Sequence, residues 1–127
     1  MKTNFPREKV FALAEKYGLS HTEVEGCYYF YLPKLGVLDD ENDDEYRDDL
    51  FDWSENSRTV LVYTSYLLRT GVSYGWDAQF EHSEEVYSFE RLETIVSYMV
   101  EMYKSLVKLK KKADELGLAI KASEDFQ

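Results

Sequence analysis

The sequence predicts a mainly α fold: a small helical domain with a long amphipathic C-terminal helix at about residues 84–116. Three observations predict it. Leu92, Met99, Leu106 and Ala113 repeat every seven positions, and Ile95, Met102, Leu109 and Leu116 repeat likewise with an offset of three, as heptad a and d positions do. Val10, Leu13, Ala14 and Tyr17 recur at helical spacing between Pro6, suited to a first turn, and Gly18, suited to a C-cap. Ser20-His21-Thr22-Glu23 then has the S-x-x-E form of a capping box. The alternative is α+β, with short strands within 27–32 and 59–80.

Taken in order, the first helix ends at Gly18 and a second starts at Ser20. It passes through Val24 and Cys27 and reaches as far as Leu32, although Gly26 weakens it by about 1 kcal/mol relative to Ala. Pro33 ends it. The run Cys27-Tyr28-Tyr29-Phe30-Tyr31-Leu32 also fits a buried strand, since periodicity does not decide so short an apolar stretch. Residues 34–43 read as a loop, and 44–53 as a short helix with Leu50, Phe51 and Trp53 turned inward. Asn56 or Ser57 caps a further helix through Val60, Leu61, Leu67 and Leu68, with Gly71 beyond its end. Thr59, Val60, Val62 and Thr64 favour a strand there instead, and helix is the preferred reading. Residues 72–83 show no clean period.

The last helix is the best determined. Val96, Val100, Tyr103 and Val107 widen its apolar face. Glu84, Glu85, Glu90 and Glu93 near its start and lysines near its end complement the helix dipole. Gly117 closes it, and residues 118–127 form a short tail. A helix over 88–116 spans roughly 44 Å, whereas a compact chain of this length has a diameter near 36 Å, or roughly so. The overhanging apolar positions must be covered by earlier parts of the chain or by a second copy. Self-association through Leu92, Ile95, Met99, Met102, Leu106 and Leu109 is the preferred expectation.

A chain of 127 residues suits a single domain, 1–127. Eleven tyrosines supply rings with polar tips, which suit core margins and interfaces. Cys27 is the only cysteine, which excludes an intrachain disulfide and a four-cysteine metal site. No secretory leader pattern and no apolar run of the ~20 residues a membrane span needs occur, so a cytoplasmic location is expected.

Residues 10–29 resemble a helix-turn-helix. Ala14, Gly18 and Val24 fill the small, turn and aliphatic places, and Leu13, Tyr17, Leu19 and Cys27 fill the apolar ones. The resemblance implies a DNA-binding regulator dimerising through the long helix, with Ser20, His21, Thr22, Glu25 and Tyr29 facing the groove. Charge opposes that reading. The formal net charge is −10, and the presumed recognition helix carries Glu23 and Glu25 with no Lys or Arg. Phosphate contacts supply most of the affinity for DNA, so direct nucleic-acid binding is not expected.

The acids are concentrated. Residues 1–57 hold 14 acids and 6 bases, whereas residues 58–127 hold 11 and 9. Nine carboxylates fall within 39–52: Asp39, Asp40, Glu41, Asp43, Asp44, Glu45, Asp48, Asp49 and Asp52, opposed only by Arg47. The EF-hand pattern fails there, because Asp44 stands where glycine belongs and Leu50 or Phe51 at the twelfth place. If helical, the segment carries one carboxylate per roughly 2.3 Å, close to the one charge per about 1.7 Å of duplex DNA. A solvated loop is the plain reading. The functional one is an acidic surface directed at a basic partner. Lys104, Lys108, Lys110, Lys111 and Lys112 read as the solvated end of a helix.

Catalysis finds little support. His21 and Cys27 are six apart and fall on different sides of a helix. His82 among Asp77, Glu81, Glu84 and Glu85 lacks any metal-ligand spacing. The sequence therefore predicts a non-catalytic, acidic protein-binding protein without cofactor or metal. In its sharper form it is an inhibitor or nucleic-acid mimic presenting 39–52 to a nucleic-acid-binding partner. The regulator described above and a structural or assembly protein are the alternatives.

Overall fold

The computed structural model describes residues 4–32, 49–72 and 75–124. The fold is α+β, not mainly α. A five-stranded antiparallel sheet has two helices on one face, and a two-stranded arm extends from it. In chain order the elements are α1 (Arg7–Tyr17), β1 (Ser20–Val24), β2 (Cys27–Tyr31), β3 (Asp49–Ser54), β4 (Val60–Tyr63), β5 (Tyr66–Val72), β6 (Gly75–Phe80), β7 (Ser83–Val86) and α2 (Phe89–Glu124). The sheet order is β1-β2-β3-β4-β7, with β5 and β6 paired as the arm.

α1 forms where its punctuation places it. Pro6 precedes it, and Gly18 adopts the left-handed conformation (φ 70°) that closes the last turn against the carbonyls of Ala14 and Glu15. The helix-turn-helix expectation fails immediately after. Ser20-His21-Thr22-Glu23 does not cap a second helix but runs as β1, paired residue for residue with β2 from Val24↔Cys27 to Ser20↔Tyr31. The deciding residues are Glu25 and Gly26, both at positive φ (52° and 82°), as a two-residue type I′ hairpin turn requires. Gly26 is therefore a turn residue and not a weak point in a helix. β-branched and aromatic residues on both sides then pair as strands.

The preferred helix over 44–53 is corrected likewise: from Asp49 onward the chain is β3, although Leu50, Phe51 and Trp53 are buried as expected. Residues 60–72 form β4 and β5, not the preferred helix. Val60 and Val62 point into the core while Leu61 and Tyr63 are exposed, a period of two.

The core lies between the sheet and the helices. Phe30, Phe51, Trp53, Val60, Val62 and Val86 from the strands meet Val10, Leu13 and Ala14 of α1 and Leu92, Ile95, Val96, Met99 and Val100 of α2. Phe11 caps the α1 end of this layer, edge-on to Tyr28, Phe30 and Trp53.

α2 begins five residues later than expected and runs through Gly117, the expected cap, to Glu124, so residues 118–124 are helix and not tail; its 36 residues span about 54 Å. The overhang is covered by the chain itself as far as Leu106. β4–β7 and β5–β6 share one unbroken register, one step forward in one strand for each step back in the other, from Val60↔Val86 to Thr70↔Trp76. Thr64 N–H donates to the His82 carbonyl and Glu81 N–H to the Ser65 carbonyl, while His82 N–H is diverted to Ser65 Oγ. A regular antiparallel ladder does not bond at consecutive pairs, so a single long hairpin bends there. Its distal arm lies along α2, where Ala78 and Leu106 bury each other with Tyr66, Met102 and Tyr103 around them.

Candidate functional site

The face of the sheet that carries no helix among the described residues is the candidate site. Strand alternation sends His21, Tyr28, Phe30, Phe51, Trp53, Val60 and Val62 to the helix side. Thr22, Val24, Cys27, Tyr29, Tyr31, Leu61, Tyr63 and Glu85 go to the other. A β-bulge adds two acids. Tyr31 pairs with Asp49 and Phe30 with Phe51, so Leu50 is the extra residue. Asp49 and Asp52, three apart and otherwise on opposite faces, thereby share the open one. One row crosses all five strands: Thr22, Tyr29, Asp52, Leu61 and Glu85. At ~4.8 Å between strands this row is about 19 Å wide.

Exposure differs along it. Leu61 and Val24 are each 53% accessible and Tyr63 36%, while Cys27, Tyr29 and Tyr31 are half-buried. Tyr63 stacks on Phe80 at 4.8 Å, which fixes its ring. Asp52 and Glu85 are exposed and Asp49 half-buried. The strand residues of this face carry three carboxylates and no Lys or Arg.

Cys27 Sγ lies 3.7 Å from Asp52 Oδ2. Its hydrogen bond with Tyr29, together with burial and the nearby Asp52 and Asp49 carboxylates, holds the Tyr29 hydroxyl above the ordinary tyrosine value. A negatively charged neighbourhood resists a further negative charge.

Of the sequence-predicted acidic surface, Asp49 and Asp52 are on this face, in a strand. The helical form considered for 39–52 therefore does not extend through Asp49 to Asp52. Asp39, Asp40, Glu41, Asp43, Asp44, Glu45 and Asp48 lie outside the described residues. Of the predicted self-association residues, Leu92, Ile95 and Met99 are in the chain's own core, Leu106 is buried under the arm, Met102 is half-buried and Leu109 is 48% exposed. Sequence reasoning placed Tyr29 on a recognition helix instead of a strand, and missed Tyr31, Leu61, Tyr63 and Glu85. The signal for Tyr31 was Glu25-Gly26, which, taken as a hairpin turn, sets the alternation of β2; Leu61, Tyr63 and Glu85 follow from pairing beyond the Leu50 bulge.

Clefts elsewhere are also formed by described residues. One of about 450 Å³ between β7 and α2 is lined by Thr64, Ser83, Thr94, Ile95 and Tyr98 around the Glu84–Arg91 pair. Arg91 holds Glu84 through two hydrogen bonds of 2.7 and 2.8 Å. A second, of about 550 Å³, opens beside the β1–β2 turn. There Arg7 donates to Tyr28 Oη and Glu55 Oε1 and lies over the rings of Phe11 and Tyr28. Those bonds, Tyr28 first, raise the Arg7 guanidinium above its ordinary value. Both arginines are already engaged by the protein's own acids.

Cys27 and His21 are on opposite faces of the sheet, and His21 packs edge-on to Phe11 at 5.2 Å. His82 is exposed, 3.8 Å from Glu81, while Glu84 is held by Arg91 and Glu85 points to the open face. Among the described residues no three His, Cys, Asp or Glu side chains are placed to hold a metal ion, and no helix is long and apolar enough to cross a membrane. Compared with known protein families, curated proteins and solved structures, the chain matches none.

Proposed function

We propose that this protein acts without catalysis, by binding another protein through the open face of its sheet. The observation that carries this is the cross-strand pairing of Tyr29 with Asp52 and Tyr31 with Asp49, with Leu61 and Tyr63 exposed alongside. Rigid tyrosine rings and apolar side chains supply contact area at little cost in side-chain entropy. The carboxylates select a partner surface bearing Lys or Arg and speed the encounter. In its sharper form the partner is a nucleic-acid-binding protein, and the acidic run of 39–52, which leads into β3, competes for its basic cleft. The regulator reading is not retained, because residues 20–31 form a hairpin where it needs a recognition helix.

Affinity capture from the native host with three forms of the protein tests this. The wild type is compared with a Tyr29→Ala, Asp52→Asn, Leu61→Lys variant, and with a control altered on α2 (Glu90→Gln, Tyr98→Ala). The expected result is a basic protein retained by the wild type and the control, lost from the face variant, and weakened by salt. Competition by duplex DNA or RNA for the same partner supports the mimic form. Retention by the face variant overturns the proposal.

A further inference from the structure

The free edge of β1 is a separate surface, and its hydrogen-bonding parity follows from the turn beside it. A two-residue turn with positive φ at both Glu25 and Gly26 makes the flanking Val24 and Cys27 a hydrogen-bonded pair. Alternation makes Thr22↔Tyr29 and Ser20↔Tyr31 hydrogen-bonded as well. Glu23↔Tyr28 and His21↔Phe30 are the non-bonded pairs. The N–H and C=O groups of His21 and Glu23 therefore point away from β2, toward an edge where no strand pairs among the described residues.

We propose that this edge pairs antiparallel with the same edge of a second copy, about a twofold axis through Thr22, joining two sheets into one. The register is set by the sequence. Placing His21 opposite Glu23 of the second copy uses every outward backbone group of the strand in four hydrogen bonds. It also sets imidazole beside carboxylate twice on the helix side. Thr22 meets Thr22 on the open face, a favourable cross-strand pair. Shifting the register by two to centre on Glu23 opposes two carboxylates, and centring on His21 opposes two imidazoles. The other edge is protected: any central antiparallel register of β7, Ser83-Glu84-Glu85-Val86, with its copy sets carboxylate against carboxylate. The heptad face of α2 is covered within the chain as far as Leu106.

A five-residue edge buries less than the roughly 1,200–2,000 Å² of a standard interface, so the dimer is concentration-dependent. Sedimentation equilibrium of the whole protein from about 10 µM to about 1 mM tests it, with Glu23→Pro, Glu23→Lys and Glu101→Lys. Proline is tolerated where a strand's N–H faces outward, so Glu23→Pro spares the β1–β2 hairpin and blocks the edge. The expected result is a wild-type dimer, at least tenfold weakened by Glu23→Pro and Glu23→Lys and unchanged by Glu101→Lys. The His21 and Glu23 amides exchange slowly only at high concentration. If circular dichroism shows that Glu23→Pro has lost its fold, Glu23→Lys decides. A wild type monomeric throughout overturns the proposal, and so does a dimer indifferent to a folded Glu23 variant.

Discussion

The indole N–H of Trp53 donates to the backbone carbonyl of Phe5 across 2.9 Å, with both residues buried. This bond fastens the segment before α1 to β3, the middle strand of the sheet.

Trp53→Phe keeps an aromatic ring and deprives the Phe5 carbonyl of its donor. A buried polar group left without its bond costs about 1–3 kcal/mol, and the smaller ring adds a cavity term. Urea unfolding is expected to show a lower midpoint with an unchanged slope.

The β1–β2 turn makes a prediction of opposite signs. Glu25 adopts φ 52°, which costs a residue of its type more than it costs Asn. Glu25→Asn is expected to raise stability by about 0.5 kcal/mol. Gly26→Ala, at φ 82°, is expected to lower it by about 1–2 kcal/mol. Thermal unfolding of the two variants beside the wild type checks both.

α2 was legible from its heptads, because a seven-residue apolar repeat survives whatever packs against it. α1 was legible because Pro6 and Gly18 act locally. The strands were not, for a physical reason. Ser20 to Glu23 satisfies a capping box as a string, and only the residues beyond it, Glu25 and Gly26, decide between helix start and edge strand. Val60 to Leu68 offers apolar residues at both periods, and the pairing that selects β structure comes from Gly75 to Val86. The open face depends on a bulge at Leu50, which no local pattern announces. Sequence legibility therefore ended where pairing between distant residues took over from local chemistry.

The same packing predicts a sharp contrast along α2. Met99 is fully buried in the core, so Met99→Ala is expected to cost about 2–5 kcal/mol. Leu109→Ala, at a half-exposed position of the same heptad series as Met102, is expected to cost less than about 0.5 kcal/mol. Leu106→Glu is expected to destabilise the monomer through its contact with Ala78, visible as a lower unfolding temperature at any protein concentration.

The Glu84–Arg91 pair gives a pH dependence. Arg91 holds the Glu84 carboxyl below its ordinary value, so the folded state favours the ionised form. Its stabilising contribution is complete above the unfolded-state value of ~4.3 and is lost as pH falls through the depressed folded-state value. Glu84→Gln is expected to lower the unfolding temperature slightly at neutral pH, and the deficit is expected to vanish in acid. Both groups are solvent-exposed, so the effect is small and screened by salt. Scanning calorimetry of the two proteins across pH checks the sign.

Oxidative footprinting of tyrosine side chains in the captured complex tests the central claim most directly, because exposed tyrosines mark different surfaces of the fold. The account predicts that the partner shields Tyr63, Tyr31 and Tyr29 on the open sheet face and leaves Tyr98, which is 54% exposed on α2, fully reactive. Shielding of Tyr98 with Tyr63 still reactive would contradict it.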